Sequence, residues 1–74
     1  MGRHPILQLT PLQSKLFRYI RSYKQKKGMA PLHTEMGKHM KRSQGAVQSL
    51  LRALISKGYI ESDYGKYRGV RLLK

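Results

Sequence analysis

A chain of 74 residues makes one small domain, whose core is too small to enclose a deep substrate cavity. Cysteine is absent, which excludes disulfides, thiolate metal ligands and cysteine nucleophiles. The 16 lysines and arginines exceed the 3 acidic residues so far that the formal net charge is +13, a surplus that attracts polyanions, chiefly nucleic acid.

A capping sequence begins the first predicted helix. Thr10 is a suitable N-cap, Pro11 fits the first helical position, and Gln13 follows the cap by three residues to complete a capping box. Apolar residues then recur at helical spacing until Gly28, which is typical of a helix end. We therefore predict a helix over residues 11–27.

A short second helix is predicted near residues 32–40, after an extended connector that ends at Pro31. Met36 and Met40 lie four residues apart and share one face of it. Gly37 in its middle weakens the helical tendency.

The third predicted helix spans residues 43–57 and begins at Ser43, a good N-cap. Its apolar residues recur with helical period and form a core stripe of Val47, Leu50, Leu51 and Leu54. The opposite face gathers small or polar residues, namely Gly45, Gln48, Ser49 and Arg52. In a very basic chain this face is therefore almost free of charge.

After the third helix the apolar period changes to two, which indicates strands at residues 59–62 and 70–73 joined by a turn. The predicted fold is mainly α with a small antiparallel β-hairpin, a winged helix-turn-helix. It occupies residues 9–74 and follows a flexible segment, residues 1–8. In this class the second helix of the motif enters the major groove, while the hairpin, here the wing of residues 62–69, touches the flanking backbone.

This architecture explains the low charge of the third helix. Base edges in the major groove present hydrogen-bond donors, acceptors and thymine methyls, so a helix that reads them needs amides, hydroxyls and close approach more than lysines. The cations belong around it, on the phosphates. We expect phosphate contacts from Lys41 and Arg42 before the helix, and from Lys66 and Arg68 near the tip of the wing.

Several short fragments follow one another in a fixed order along the chain. They are Leu9-Thr10 with Gln13, Lys27-Gly28-Met29 with Pro31, Glu35, Arg42-Ser43, Leu51-Arg52-Ala53-Leu54, Lys57-Gly58 with Ile60, and Arg68-Gly69-Val70-Arg71-Leu72-Leu73. In this order and spacing, from Leu9 to Leu73, the chain resembles the N-terminal DNA-binding domain of the LexA repressor family.

The resemblance implies sequence-specific binding of double-stranded DNA, usually by a transcriptional repressor at paired half-sites. Family positions that face bases fall on Ser43, Gly45, Ala46, Gln48 and Ser49. Those that contact phosphates fall on His33, Lys57 and the wing. Because several of the base-facing positions are Asn and Glu in the family, we expect this chain to read a different site from the usual LexA operator.

Two further departures from the family bear on geometry and activity. Between Met40 and Arg42 the chain is one residue shorter than the family and lacks its turn glycine, which bears on the angle between the second and third helices. The chain also ends where the family's linker and self-cleaving protease domain begin. Self-cleavage and dimerisation through that domain are therefore not expected of it.

Catalysis, a metal and a cofactor are not expected either. The carboxylates are limited to Glu35, Glu61 and Asp63, and the histidines lack the spacing of a metal site. No apolar stretch approaches the roughly 20 residues of a membrane-spanning helix, and the N-terminus lacks the apolar core of a signal peptide. We therefore expect a cytoplasmic, nucleoid-associated protein without membrane contacts.

Two alternatives to sequence-specific reading stay open. One is a protein that coats nucleic acid without sequence preference, and the other is a winged helix that binds a protein partner through Tyr64 and Tyr67. Both tyrosines stand among cations in the wing. With one recognition helix per chain, we expect a monomer in isolation that pairs on DNA.

Overall fold

The computed structural model describes residues 9–62 and 69–73. Within these residues the chain forms helices α1 (Pro11–Lys27), α2 (His33–Met40) and α3 (Gln44–Ser56), followed by strands β1 (Ile60–Ser62) and β2 (Val70–Leu72). The strands pair antiparallel. This confirms the predicted mainly helical fold with a small hairpin. The predicted flexible segment, residues 1–8, lies outside the described residues.

Helix α1 begins and ends as its sequence predicts. The Thr10 Oγ1 accepts a hydrogen bond from the Gln13 N–H, and the Gln13 Oε1 accepts one from the Thr10 N–H, both at 3.2 Å. At the other end Gly28 takes a left-handed conformation with φ 77° and donates its N–H to the Lys24 carbonyl at 2.8 Å. The capping box and the glycine satisfy backbone groups that a helix end otherwise leaves unpaired.

Helix α2 lacks a polar N-cap, because Leu32 occupies that position. Glu35 replaces the cap from within the helix, since its Oε1 accepts the Leu32 N–H at 2.6 Å. Its second oxygen, Oε2, accepts the Tyr23 hydroxyl at 2.9 Å. One carboxylate therefore satisfies the start of α2 and joins that helix to α1.

Helix α3 is one residue shorter at each end than predicted, because Ser43 and Lys57 are its caps. Gly58, with φ 79°, donates its N–H to the Ile55 carbonyl at 3.0 Å. The Tyr59 N–H bonds to the Leu54 carbonyl at the same distance. This pair of bonds is a Schellman motif, which stops the helix and turns the chain into β1.

The core lies between the three helices and the inner face of the hairpin. Its buried side chains come from every element: Leu16, Phe17, Ile20, Ala30, Met36, Met40, Val47, Leu51, Leu54, Ile60 and Val70. Ile60 pairs with Leu72 and Ser62 with Val70, so the inward residues of both strands share one face. On the outer face the Arg71 guanidinium contacts the Glu61 carboxylate at 2.6 Å.

An aromatic cluster covers the contact between α1 and α2. The Tyr19 ring stacks on His39 with centroids 4.0 Å apart and 9° between the planes, and it meets Tyr23 edge to face at 5.8 Å. Burial raises the pKa of Tyr19 above its ordinary value, and the charges of Glu35 and Tyr23 act in the same direction.

This pKa predicts how stability changes at alkaline pH. The folded state binds the Tyr19 proton more tightly than the unfolded chain does. The resulting contribution to the unfolding free energy is complete below about pH 10 and is lost as the pH rises through the folded-state pKa. We expect Tyr19→Phe to reduce the loss of unfolding free energy between about pH 8 and about pH 11, measured by denaturant titration. An equal loss in the parent and the variant would contradict this.

Candidate nucleic-acid interface

Helices α2 and α3 are joined by a tight turn of residues 41–43. Lys41 has φ 57° and ψ 45°, and among the described residues it alone has a positive φ without being a glycine. The Arg42 N–H bonds to the Gly37 carbonyl at 3.1 Å, the long hydrogen bond of a Schellman motif. The shorter turn therefore closes without a glycine, because Lys41 adopts the left-handed conformation that glycine ordinarily supplies.

Gly37 allows α3 to begin close against α2. It is buried, and a Cβ placed there would lie 2.8 Å from the Gln44 Nε2 and 3.2 Å from the Arg42 carbonyl oxygen. The Gln44 Nε2 also donates a hydrogen bond to the His33 carbonyl at 3.3 Å. The glycine that weakens α2 as a helix is thus the residue that sets how closely the next helix approaches.

The outer face of α3, defined as Gly45, Gln48, Ser49 and Arg52, is exposed along its length. The opposite face is buried through Val47, Leu51 and Leu54, and Leu50 is half-buried against the core. The division of the helix predicted from its sequence is therefore confirmed. Gln48 and Arg52 lie one turn apart, so an amide and a guanidinium project from the same side.

The other two predicted base-facing residues are Ser43, the N-cap of α3, and Ala46, in its first turn. The Ser43 Oγ accepts the Ala46 N–H at 3.3 Å as the N-cap bond, which leaves its O–H as a donor. Ala46 is half-buried, so it has a methyl group at the edge of the surface. Both residues therefore adjoin the outer face of α3.

The predicted phosphate-binding residues fall into three groups. His33, Lys41 and Arg42 are exposed at the start of α2 and in the turn, and the Gln44 bond ties the backbone of His33 to the start of α3. Lys57 is half-buried, and its Nζ donates to the Gln13 Oε1 at 2.7 Å. Lys66 and Arg68 lie outside the described residues, as do Tyr64 and Tyr67.

Sequence reasoning missed Gln44. Gln44 is the first residue of α3, and nothing in the sequence distinguishes it from any other polar helix residue. Its contacts arise only when α2 and α3 are packed together. A glycine in the middle of a short helix was the available signal, since it indicates close approach of a neighbouring group.

The described part of the chain contains no group of three histidine, aspartate or glutamate side chains that could hold a metal ion. Its helices are all too short or too polar to cross a membrane. Every buried side-chain nitrogen or oxygen among the described residues has a hydrogen-bond partner.

Two packed helices joined by a tight turn, the second with an exposed polar face and followed by a hairpin, define a winged helix-turn-helix DNA-binding domain. The model of the LexA DNA binding domain family matches residues 7–69, and the chain belongs to this family.

Three proteins named LexA repressor illustrate the similarity. The one from Mannheimia succiniciproducens is 36% identical over 70 residues, which cover 93% of this chain and 33% of the relative. The one from Oleidesulfovibrio alaskensis is 34% identical over 74 residues, 100% of this chain and 36% of the relative. The one from Tolumonas auensis is 39% identical over 67 residues, which cover 89% of this chain and 32% of the relative. The chain thus spans about a third of the length of these relatives.

Proposed function

We propose that this chain binds a short half-site of double-stranded DNA sequence-specifically and represses transcription by occupying it. The observation that carries the proposal is the exposed, nearly uncharged outer face of α3 in a chain of net charge +13. Membership of the LexA DNA-binding domain family supports it, and the relatives that match are named repressors. The proposal places α3 in the major groove and the wing on the flanking backbone.

Each base-facing side chain has a distinct chemistry to offer. The Gln48 amide is suited to an adenine, which presents a donor and an acceptor together, and the Arg52 guanidinium is suited to the two acceptors of a guanine. Ser49 and Ser43 donate or accept single hydrogen bonds. Gly45 admits the DNA close to the helix backbone, and the Ala46 methyl suits a thymine methyl.

The cations fix the position of the helix on the duplex. His33, Lys41 and Arg42 would bind phosphates on one side of the groove, while Lys57, Lys66 and Arg68 would bind those on the other. The N-terminus of α3 lies beside the first group and adds the positive end of its dipole. These contacts supply affinity for any sequence, so discrimination rests on α3.

One recognition helix reads only a few base pairs, so we propose that the chain is a monomer in solution and that two copies occupy paired half-sites. Analytical ultracentrifugation tests both parts. The free chain is expected to sediment as a monomer, and an excess of chain over a paired site is expected to give a complex with two copies. A stable dimer without DNA would contradict the first part.

Selection from a random duplex library at about 150 mM salt tests sequence reading, because salt damps plain charge attraction. An enriched short motif, with a second copy at fixed spacing, is the expected result. Binding without an enriched motif would instead favour a coating protein. Absence of binding would favour a protein-interaction module.

Gln48→Ala separates base reading from general affinity. It is expected to relax the preference at one or two base positions, at a cost of about 1–3 kcal/mol for the preferred base. Lys66→Ala is the matched control, which should weaken all sequences alike and reduce the slope of log affinity against log salt by about one. The measurement is the selection repeated with each variant. A uniform loss from both substitutions would mean that α3 is not the reader.

Lys41 provides a second test, because its left-handed backbone is costly for a lysine. Lys41→Gly is expected to keep or raise the unfolding free energy by up to about 1 kcal/mol, since strain relief exceeds or offsets the added entropy of the unfolded chain. It should nevertheless weaken DNA binding, because the cation is lost. Lys41→Gln is the control, with the backbone strain kept and the charge removed. Unchanged DNA affinity in both variants would remove Lys41 from the phosphate contacts.

A further inference from the structure

The most cationic helix of the described chain is not the one that reads bases. Six cations and no acidic residue lie on α1, namely Lys15, Arg18, Arg21, Lys24, Lys26 and Lys27. Helix α3 has Arg52 as its charged residue. The proposed half-site complex uses none of the α1 cations, so their accumulation requires a separate explanation.

Their position on the helix puts part of this charge on one surface. With about 100° between successive residues, Lys15, Arg18 and Lys26 fall on the side opposite the buried residues Leu16 and Ile20. All three cations are exposed, and we call them the outer face of α1. They extend over about 16 Å of helix, a length comparable with several phosphates along one DNA strand.

Hydrogen bonds and ion pairs within residues 9–62 and 69–73 do not account for this face. Of the two acidic residues in the described chain, Glu35 is bonded by the Leu32 N–H and the Tyr23 hydroxyl, and Glu61 is bonded by Arg71. The helix dipole favours cations only in the last turn, which explains Lys26 but not Lys15 or Arg18.

The direction of the outer face of α1 separates it from the proposed half-site. Helices α1, α2 and α3 all contact one another around the common core. Each helix buries its apolar side towards that core, so the three outward sides point in different directions. A duplex that holds the outer face of α3 in its major groove therefore leaves the outer face of α1 directed elsewhere.

We propose that the outer face of α1 binds the phosphate backbone of a second DNA segment, so that one chain bridges two duplexes. This inference rests on the proposed binding of the first duplex through α3. The second contact is sequence-independent and electrostatic, because lysine and arginine on an exposed helix meet phosphates without reaching base edges. Repression would then be accompanied by looping or compaction of the DNA around the site.

The test is a bridging assay with short duplexes of one fixed sequence, one immobilised and one labelled in solution. The triple variant Lys15→Gln, Arg18→Gln and Lys26→Gln removes the positive charges of the outer face of α1 and replaces them with residues of good helix propensity. The matched control, Lys24→Gln with Lys27→Gln and Lys38→Gln, removes the same number of charges from other surfaces. Binding to a single duplex is measured for every protein at the same salt, and circular dichroism compares their helix content.

The parent chain is expected to capture the labelled duplex, and the outer-face variant is expected to lose about tenfold or more of that capture. Its binding to a single duplex should fall no further than that of the control, which should still bridge. Bridging retained by the outer-face variant, or lost equally by the control, would overturn the inference. So would a variant that loses single-duplex binding in step with bridging. A parent that binds one duplex without bridging overturns only this inference, whereas a parent that binds no duplex overturns the proposed function.

Discussion

Leu16→Ala is expected to unfold most of the chain near physiological temperature. Leu16 is fully buried in α1, at 0% exposure, and removing its side chain leaves a cavity that costs about 2–5 kcal/mol. A core in a domain of this size rarely supplies more than about 3–5 kcal/mol in total. The substitution therefore removes most or all of the stability.

Leu12→Ala is the matched control for that experiment. It lies in the same helix and loses the same atoms, but its side chain is 39% exposed. We expect its unfolding free energy to change by no more than about 0.5 kcal/mol, measured by thermal and denaturant unfolding. A similar loss of unfolding free energy from both substitutions would contradict the conclusion that α1 stabilises the fold through its buried side chains.

Gly37→Ala is expected to reduce DNA affinity about tenfold, equivalent to about 1.4 kcal/mol, with little change in stability. Alanine is a better helix former than glycine by about 1 kcal/mol, which offsets the cost of crowding. The new Cβ, however, meets the Gln44 amide and the Arg42 carbonyl, so α3 must move relative to α2. The measurements are duplex affinity and unfolding free energy on the same samples.

A double substitution shows which obstacle matters. In a Gln44→Ala background the nearer obstacle, at 2.8 Å, is absent, while the Arg42 carbonyl at 3.2 Å remains. We therefore expect Gly37→Ala to cost less affinity there than in the parent chain. Because the two residues are in contact, the effects should not be additive. Full affinity in the Gly37→Ala single variant would show that the α2 and α3 contact does not set the reading geometry.

The local features of this fold were predictable because they depend on nearby residues. The capping box at Thr10 and the left-handed Gly28 follow from rules that span a few positions, and the structure has both. The buried stripe of α3 and the inward residues Ile60 and Val70 follow from apolar periodicity. The exposed, polar side of α3 follows from the same periodicity.

Contacts between distant residues were not predictable in the same way. The Lys57 bond to Gln13 joins residues 44 positions apart, and no local pattern indicates it. The left-handed Lys41 is unexpected because lysine disfavours that conformation, and only the docking of α3 onto α2 determines it. The role of Gly37 likewise becomes visible only when Gln44 and Arg42 are brought beside it.

The contacts of the Gln13 side chain limit which residues this fold tolerates at position 13. Its Oε1 accepts the Thr10 N–H at the start of α1 and also the Lys57 ammonium at the end of α3. Besides glutamine, few side chains satisfy both demands. Glutamate does, because it is long enough and its carboxylate accepts a hydrogen bond from a backbone N–H and pairs with a cation. In a saturation library of this position selected for folded protein, glutamine and glutamate should survive together, with asparagine and aspartate depleted because they are one methylene too short. A residue that resembles an ordinary member of a capping box is in this way constrained by the far end of the helix that we propose reads DNA.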